Sequence, residues 1–66
     1  MKVVVNGEPR DLPEGTSVAE AVASVTAART GVAVAVNEEV VGRSAWESTA
    51  LEDGDRVEVL TAVQGG

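Results

Sequence analysis

The chain has 66 residues and a formal net charge of −6, and it contains neither cysteine nor histidine. A domain of this size buries only about 60% of the surface that its unfolded chain exposes, which leaves little room for a deep pocket. The missing residue types exclude disulfides, thiolate nucleophiles and a serine–histidine triad. We therefore expect a protein that is not an enzyme and that binds no metal or cofactor.

The negative charge comes from eleven acidic residues against five basic ones. Nucleic acids and anionic membranes attract cationic surfaces, so neither is an expected partner. Solubility alone explains the acidity, and so does a docking surface for a basic partner. No apolar run approaches the roughly 18 residues that span a bilayer, and no signal peptide opens the chain, so we expect a cytoplasmic protein.

The first predicted element is a β-hairpin. Met1–Val5 is rich in β-branched residues and predicts a strand, and Asn6-Gly7 is a strong turn signal because both residues tolerate positive φ. Glu8–Leu12 returns as a second strand, which Pro9 places at a sheet edge because proline has no N–H to donate. By the two-residue period of a strand, one face belongs to the core: Met1, Val3 and Val5.

A turn at residues 13–15 precedes a predicted helix. Ser17 and Glu20 have the spacing of a capping box, with Ser17 as the N-cap residue. We expect the helix to continue to about Ala28 and to end before Gly31, a typical residue for the C′ position. Its apolar residues share one stripe, which we assign to the core: Val18, Ala21, Val22, Val25 and Ala28.

Two further strands follow the helix. Val32–Asn37 alternates valine with alanine, which predicts a buried strand with its valines towards the helix and its alanines on the opposite face. A turn at Asn37–Glu39 leads to a short antiparallel return at Val40-Val41. Residues 42–51 are irregular, with one helical turn expected around Trp46.

The last predicted strand is Arg56–Val63. It follows a turn at Glu52–Asp55, in which Gly54 is expected in the left-handed region. Val57 and Val59 should point inward. The outward positions are Arg56, Glu58 and Leu60.

This order of elements predicts an α+β fold. The last strand must lie beside the first if the apolar faces are to close into one core. The result is a β-grasp (ubiquitin-like) arrangement, a mixed sheet of four or five strands with one main helix packed across one face. We expect one domain over residues 1–66, in which residues 64–66 form a flexible C-terminal Gly-Gly tail.

The chain ends in Gln64-Gly65-Gly66. Glycine has no Cβ, so such a tail can thread a channel that is too narrow for other residues. A carboxylate presented in this way suits ATP-dependent activation to an acyl-adenylate. Two glycines at this position also arise by chance or as a cloning remnant, so the dipeptide needs the context of the whole chain.

Four stretches supply that context: Val34–Asn37, Val40–Trp46, Leu51–Val59 and Val63–Gly66. Together they resemble the ThiS family. The resemblance runs the whole length, and the Asp-Gly-Asp turn together with the Gly-Gly end at this spacing is specific. Many members have proline at the position of Gly42 and glycine at that of Glu38, and both positions lie in or beside predicted turns.

ThiS proteins are ubiquitin-like sulfur carriers of thiamine (thiazole) biosynthesis. The resemblance implies that an E1-like adenylyltransferase (ThiF-like) uses ATP to adenylate the carboxylate of Gly66, and that a persulfide sulfur donor then converts it to a thiocarboxylate. A thiazole synthase (ThiG-like) would receive the sulfur. Gly65 and Gln64 would enter the partner's active site with Gly66. ATP would belong to the activating enzyme, and the chain itself would hold no cofactor.

A short tail also implies close docking. From Val63, three extended residues reach only about 10 Å, so the folded body must lie near the partner's nucleotide. Exposed apolar residues on a sheet are often ordinary surface, but those opposite the helix are the candidates for a docking surface. They are Val4, Ala33, Ala35, Leu60 and Ala62.

Three other features have simpler explanations. Trp46 is the only aromatic residue and is interpreted as a lid over a core of small valines, not as a ligand platform. The acidic cluster at Glu52–Asp55 lacks the spacing of a calcium loop and is interpreted as a solvated turn. Arg43 is interpreted as a surface pair or a partner contact.

Two alternatives to a thiamine carrier stay open at this point. One is a sulfur carrier for another pathway, molybdopterin or cysteine synthesis, although such carriers are commonly longer and lack the Arg-Ser-x-Trp segment seen at residues 43–46. The other is a β-grasp interaction module or protein modifier, whose Gly-Gly end is joined to lysine.

Overall fold

The computed structural model describes residues 1–28 and 30–62. Its elements are β1 (Lys2–Val5), β2 (Glu8–Asp11), α1 (Val18–Val25), β3 (Val32–Val36), β4 (Glu39–Val41), a 3₁₀ turn (Arg43–Ala45) and β5 (Arg56–Thr61). The five strands form one sheet in the order β2-β1-β5-β3-β4, and α1 packs on one face of it. This architecture confirms the predicted α+β, β-grasp fold.

β1 and β2 form the predicted hairpin, in which Val5 lies opposite Glu8. Both turn residues have positive φ, 50° at Asn6 and 82° at Gly7, which is the I′ geometry that matches the twist of the strands. β2 pairs only with β1 and therefore lies at the sheet edge, where the missing N–H of Pro9 interrupts no second ladder.

β5 is the central strand, as predicted. It pairs parallel with β1 and antiparallel with β3. Val57 and Val59 are buried, whereas the residues that alternate with them are exposed. β5 ends at Thr61, and the predicted extension to Val63 falls outside the described residues.

The N-terminus of α1 has the predicted capping box. The Glu20 N–H donates to the Ser17 hydroxyl at 3.1 Å, and the Ser17 N–H donates to the Glu20 carboxylate at 2.9 Å. These bonds satisfy donors that the first turn of a helix cannot satisfy by itself. Within the described residues, no helix has the length and apolar character that crossing a membrane requires.

The predicted C-terminal end of α1 was wrong. The helix ends at Val25, and Thr26 is extended, with φ −146° and ψ 147°. The Thr26 hydroxyl accepts the Ala28 N–H at 3.0 Å, a local bond of the kind by which threonine competes with helical hydrogen bonding. Ala28 is consequently an exposed residue outside the helix, and Gly31 is not its C′ residue.

The core consists of small apolar side chains from every layer. Trp46 and Met1 are partly buried and pack against it, which confirms Trp46 as a lid. Because valine has one preferred rotamer in most backbone contexts, such a core orders with little loss of side-chain entropy. The buried apolar residues are Val3, Val5, Val18, Ala21, Val22, Val34, Leu51, Val57 and Val59.

The second hairpin joins β3 to β4, with Val36 opposite Glu39. Its turn residues also have positive φ, 51° at Asn37 and 73° at Glu38. Asparagine tolerates this region, but glutamate adopts it at a cost of roughly 1–2 kcal/mol.

Candidate functional site

β5 leads directly to the residues expected to react. Gln64, Gly65 and Gly66 lie outside the described residues, and Ala62 is the last described residue before them. The Ala62 N–H donates to the Gly31 carbonyl at 2.7 Å, so the end of β5 is held against the start of β3.

Glycine is favoured at the partner position of this bond. Gly31 has a φ of +71°, which strains any residue with a Cβ, and a Cβ added there would lie 3.0 Å from the Cβ of Ala62. This distance is tighter than most real Cβ contacts, so Ala62 would have to shift by a few tenths of an ångström just where the tail begins.

The acidic turn holds the other end of β5. Asp53 accepts the Lys2 backbone N–H at 2.7 Å. Asp55 accepts the Glu52 N–H at 2.8 Å and the Asn37 side-chain amide at 3.0 Å. Within the described residues, no group of three or more acidic residues is arranged to hold a metal ion. The hydrogen bonds of Asp53 and Asp55 hold the turn against the neighbouring β1 and the β3–β4 turn.

The side chain of Asn6 lies along β5 beyond the end of β1. Its amide nitrogen donates to the Val59 carbonyl at 3.2 Å, and its amide oxygen accepts the Val59 N–H at 2.8 Å. Sequence reasoning assigned Asn6 only to the turn and missed this role, since nothing local to residues 6 and 7 indicates a contact with residue 59.

Four exposed or half-buried apolar residues form a continuous surface on the sheet face opposite α1. Leu60 is 67% exposed and lies directly opposite Ala33, and Ala35 follows on the same face. Val40, which is 81% exposed, lies opposite Ala35 on the other side. We call these residues the outer-face patch: Ala33, Ala35, Val40 and Leu60.

Val40 was missed as a member of this surface. The predicted return strand at Val40-Val41 was given no inward or outward face. A two-residue turn at Asn37 and Glu38 sets the register, however, and places Val40 opposite Ala35. The length of the turn therefore indicates that Val40 lies on the same face as Ala35.

Two of the predicted docking residues, Val4 and Ala62, lie outside the outer-face patch. Val4 is half-buried opposite Arg56, four residues before Leu60, which corresponds to about 13 Å along the strand. Arg56 and Glu58 separate it from the patch on the same face. Ala62 is exposed two residues beyond Leu60 and adjoins the patch along the chain.

Charged residues border the outer-face patch. Glu58 lies opposite Ala35, and Arg56 makes a 3.6 Å ion pair with Glu38 at the neighbouring turn. Because Glu38 and Glu58 outnumber Arg56 here, the border carries a net negative charge. An apolar patch with an acidic border is complementary to a partner with an apolar anchor and basic neighbours.

The side chains of Trp46 and Arg43 contact each other. The Trp46 ring N–H donates to the Val41 carbonyl at 2.9 Å, and the Arg43 guanidinium lies 5.8 Å from the centre of the ring. The Trp46 carbonyl accepts the Ala19 N–H of α1 at 3.1 Å. These contacts tie the irregular segment to both the sheet and the helix, and the predicted partner contact of Arg43 stays a prediction.

Known proteins are similar to this chain along nearly its whole length. The ThiS family model matches residues 3–66. The chain is 42% identical over 64 residues to the sulfur carrier protein ThiS of Thermus thermophilus, a match that covers 97% of this chain and 98% of that protein. The crystal structure of the thiamine biosynthesis protein ThiS from Geobacter metallireducens matches with a TM-score of 0.79 and 36% identity, covering 100% of both chains.

A third match is to part of a much longer protein. The chain is 33% identical over 66 residues to a thiazole synthase of Paramagnetospirillum magneticum. It spans only 20% of that protein's length, so that enzyme contains one segment similar to the entire chain. The family match and the full-length relatives show that this chain belongs to the ThiS family.

Proposed function

We propose that this protein is a sulfur carrier for thiazole formation in thiamine biosynthesis, and that Gly66 carries the reacting carboxylate. The observation that carries this proposal is the family match over residues 3–66, which includes the Gly-Gly end. The full-length relative in Thermus thermophilus is named a sulfur carrier protein.

The first step is activation by an E1-like adenylyltransferase. The Gly66 carboxylate oxygen attacks the α-phosphorus of ATP, pyrophosphate leaves, and the product is an acyl-adenylate. Activation is needed because a carboxylate is anionic at neutral pH and a poor electrophile. Gly65 and Gln64 form the neck that reaches the nucleotide, and the absence of a Cβ at Gly65 keeps this neck narrow.

The second step is sulfur transfer. The terminal sulfur of a persulfide attacks the acyl carbon, a C–S bond forms, and AMP leaves. A thiolate then attacks the sulfur of the resulting acyl persulfide that is not bonded to the acyl carbon. The S–S bond breaks, a new disulfide forms and the thiocarboxylate is released. The chain itself has no cysteine to supply either sulfur, so both must come from partner proteins or small thiols.

A thiazole synthase is the proposed acceptor of the sulfur. The support is the thiazole synthase of Paramagnetospirillum magneticum, of which one segment resembles the entire chain. A second thiazole synthase, of Magnetococcus marinus, has the same relationship, with 33% identity over 66 residues and 20% of its length covered. A carrier-like segment within the acceptor enzyme is expected where the two act together.

The outer-face patch is the proposed docking surface for these enzymes. From Ala62, four extended residues reach Gly66 over only about 13 Å, so the body of the carrier must lie against the enzyme. Leu60 and Val40 are the largest exposed apolar residues described, and both lie on this face. Ala62 extends the patch towards the tail, whereas Val4 is expected to contribute little.

The experiment is reconstitution with an E1-like enzyme, ATP and a persulfide donor, followed by intact-mass measurement. Replacement of one oxygen by sulfur is expected, and deletion of Gly66 should abolish it while the circular dichroism spectrum and urea midpoint stay unchanged. The matched control is Gln64→Ala, which alters the tail but keeps the Gly-Gly end. If no AMP adduct forms with wild-type protein, the proposal fails, and lysine-linked adducts would instead indicate a protein modifier.

A further inference from the structure

The hydrogen-bonding edge of β5 that faces β1 is occupied only as far as Val59. The Val57 carbonyl accepts the Asn6 backbone N–H at 2.9 Å, and both backbone groups of Val59 bond to the Asn6 side chain. Alternate residues of a strand direct their N–H and C=O groups to the same edge. The next residue on this edge is Thr61.

The backbone groups of Thr61 are not used by β3 either. The Arg56 carbonyl accepts the Asn37 N–H at 2.8 Å, and the Ala62 N–H donates to Gly31, so the even-numbered residues of β5 face β3. Thr61 therefore faces the side on which β1 ended at Val5. Within residues 1–28 and 30–62, the pairing of β1 with β5 extends only to Val57, and no other backbone hydrogen bond to Thr61 is found on that side.

We propose that this open edge at Thr61 receives an extended strand of the enzyme that activates Gly66. The inference rests on the proposed function and adds a mode of partner recognition to it. The occupant is a strand because the edge offers one N–H and one C=O at the spacing of a ladder. The sheet of the carrier would thereby continue into the enzyme.

Two features favour the activating enzyme as the occupant. The edge opens five residues before Gly66, and these residues span roughly 17 Å when extended, so an enzyme that encloses Gly66 must run beside this part of the chain. Backbone pairing also needs no side chains, which suits a tail that ends in Gly-Gly. Sheet edges left open are otherwise a hazard for association between copies.

Amide hydrogen exchange tests the inference directly. In the isolated protein we expect the Val59 amide to be protected by Asn6 and the Thr61 amide to exchange freely. In a complex with the E1-like enzyme, the Thr61 amide should slow by about tenfold or more, while the Val59 amide stays protected. Unchanged exchange at Thr61 in a sample that forms the Gly66 adenylate would overturn the inference and leave the proposed function intact.

Two variants provide an independent measurement. Thr61→Pro removes the N–H, and Thr61→Val removes only the hydroxyl. We expect Thr61→Pro to lower kcat/KM for adenylation about tenfold, and we expect a smaller loss in Thr61→Val because this variant keeps the N–H. If proline disturbs folding, a backbone ester at Thr61 removes the same N–H and should give the same loss.

The remaining outcomes also decide the question. Equal kcat/KM for the ester and wild-type proteins would contradict the inference. Concentration-dependent protection of Thr61 in the isolated protein would show that a second copy occupies the edge, which also contradicts it. If no adenylate forms at all, the proposed function fails and this inference fails with it.

Discussion

The side-chain amide of Asn6 satisfies both backbone hydrogen-bonding groups of Val59, a residue of β5 that lies beyond the end of β1. Its oxygen accepts the Val59 N–H at 2.8 Å, and its nitrogen donates to the Val59 carbonyl at 3.2 Å. Asn6 also has a φ of 50° in the I′ turn. One residue therefore both reverses the chain and supplies hydrogen bonds to β5 at Val59, where β1 has ended.

These two roles can be separated by substitution. Asn6→Gly keeps the positive φ and removes the amide, and we expect it to lower the free energy of unfolding by about 1–2 kcal/mol. Asn6→Ala also loses the favourable turn conformation and should cost roughly 1 kcal/mol more. Urea unfolding of the three proteins measures both steps. Equal stability of Asn6→Gly and wild type would show that the amide contributes nothing to β5.

A substitution at Glu38 is expected to raise the free energy of unfolding, whereas those at Asn6 lower it. Its φ of 73° disfavours any residue with a Cβ, and its ion pair with Arg56 is 3.6 Å long and exposed. Relief of the strain should exceed the loss of an exposed pair, which contributes between about 0 and 1 kcal/mol. We expect Glu38→Gly to raise the free energy of unfolding by about 0.5–1 kcal/mol.

The control for this change is Glu38→Gln, which removes the charge but keeps the Cβ. Its unfolding free energy should lie within about 0.5 kcal/mol of wild type. A Glu38→Gly protein that is less stable than Glu38→Gln would mean that the strain at this turn is smaller than the φ angle indicates.

Local chemistry explains why so much of this fold could be predicted from the sequence. Asn6-Gly7, the Ser17–Glu20 capping box and the alternating valines of β3 each act within a few residues, and the structure has all three. The end of α1 could not be predicted, because the apolar stripe continues to Ala28 and does not indicate that the Thr26 hydroxyl accepts the Ala28 N–H. The Asn6–Val59 contact joins residues 53 apart and leaves no trace in a local pattern.

The candidate site likewise contains residues that the sequence could place and residues that it could not. Leu60 and Ala33 were placed on the outer face by the two-residue period, and the register sets them directly opposite each other. Val4 obeys the same period, yet it lies opposite Arg56 and away from Leu60, because the register of β1 against β5 sets its position along the strand. The positions of Gly65 and Gly66 relative to a partner belong to the complex and not to the isolated chain.

Gly42 provides a second stabilising substitution. It has φ −65° and ψ 149°, which a proline ring fixes without strain, and a Cβ there would meet nothing within 4 Å. The register makes Val34 and Val41 a hydrogen-bonded pair, so the next position, Gly42, directs its N–H away from β3. We expect Gly42→Pro to raise the free energy of unfolding by about 0.4–1 kcal/mol, chiefly by restricting the unfolded chain.

Gly42→Ala is the matched comparison. It restricts the unfolded chain less than proline does, so its gain in urea unfolding should be smaller and of the same sign. A loss of stability in Gly42→Pro alone would show that the Gly42 N–H has a partner that proline removes.

The outer-face patch gives a prediction about binding and not about folding. Leu60 is 67% exposed, so Leu60→Asn should change the free energy of unfolding by no more than about 0.5 kcal/mol. If the patch docks the E1-like enzyme, an apolar anchor at its centre contributes about 1–2 kcal/mol, and the affinity measured by calorimetry should fall about tenfold.

Val4→Ala is the control, because Arg56 and Glu58 separate Val4 from the patch. Equal affinities of the Leu60→Asn and Val4→Ala proteins would remove the patch as the docking surface, whereas a selective loss in Leu60→Asn, repeated in Val40→Ser, would locate the enzyme on this face.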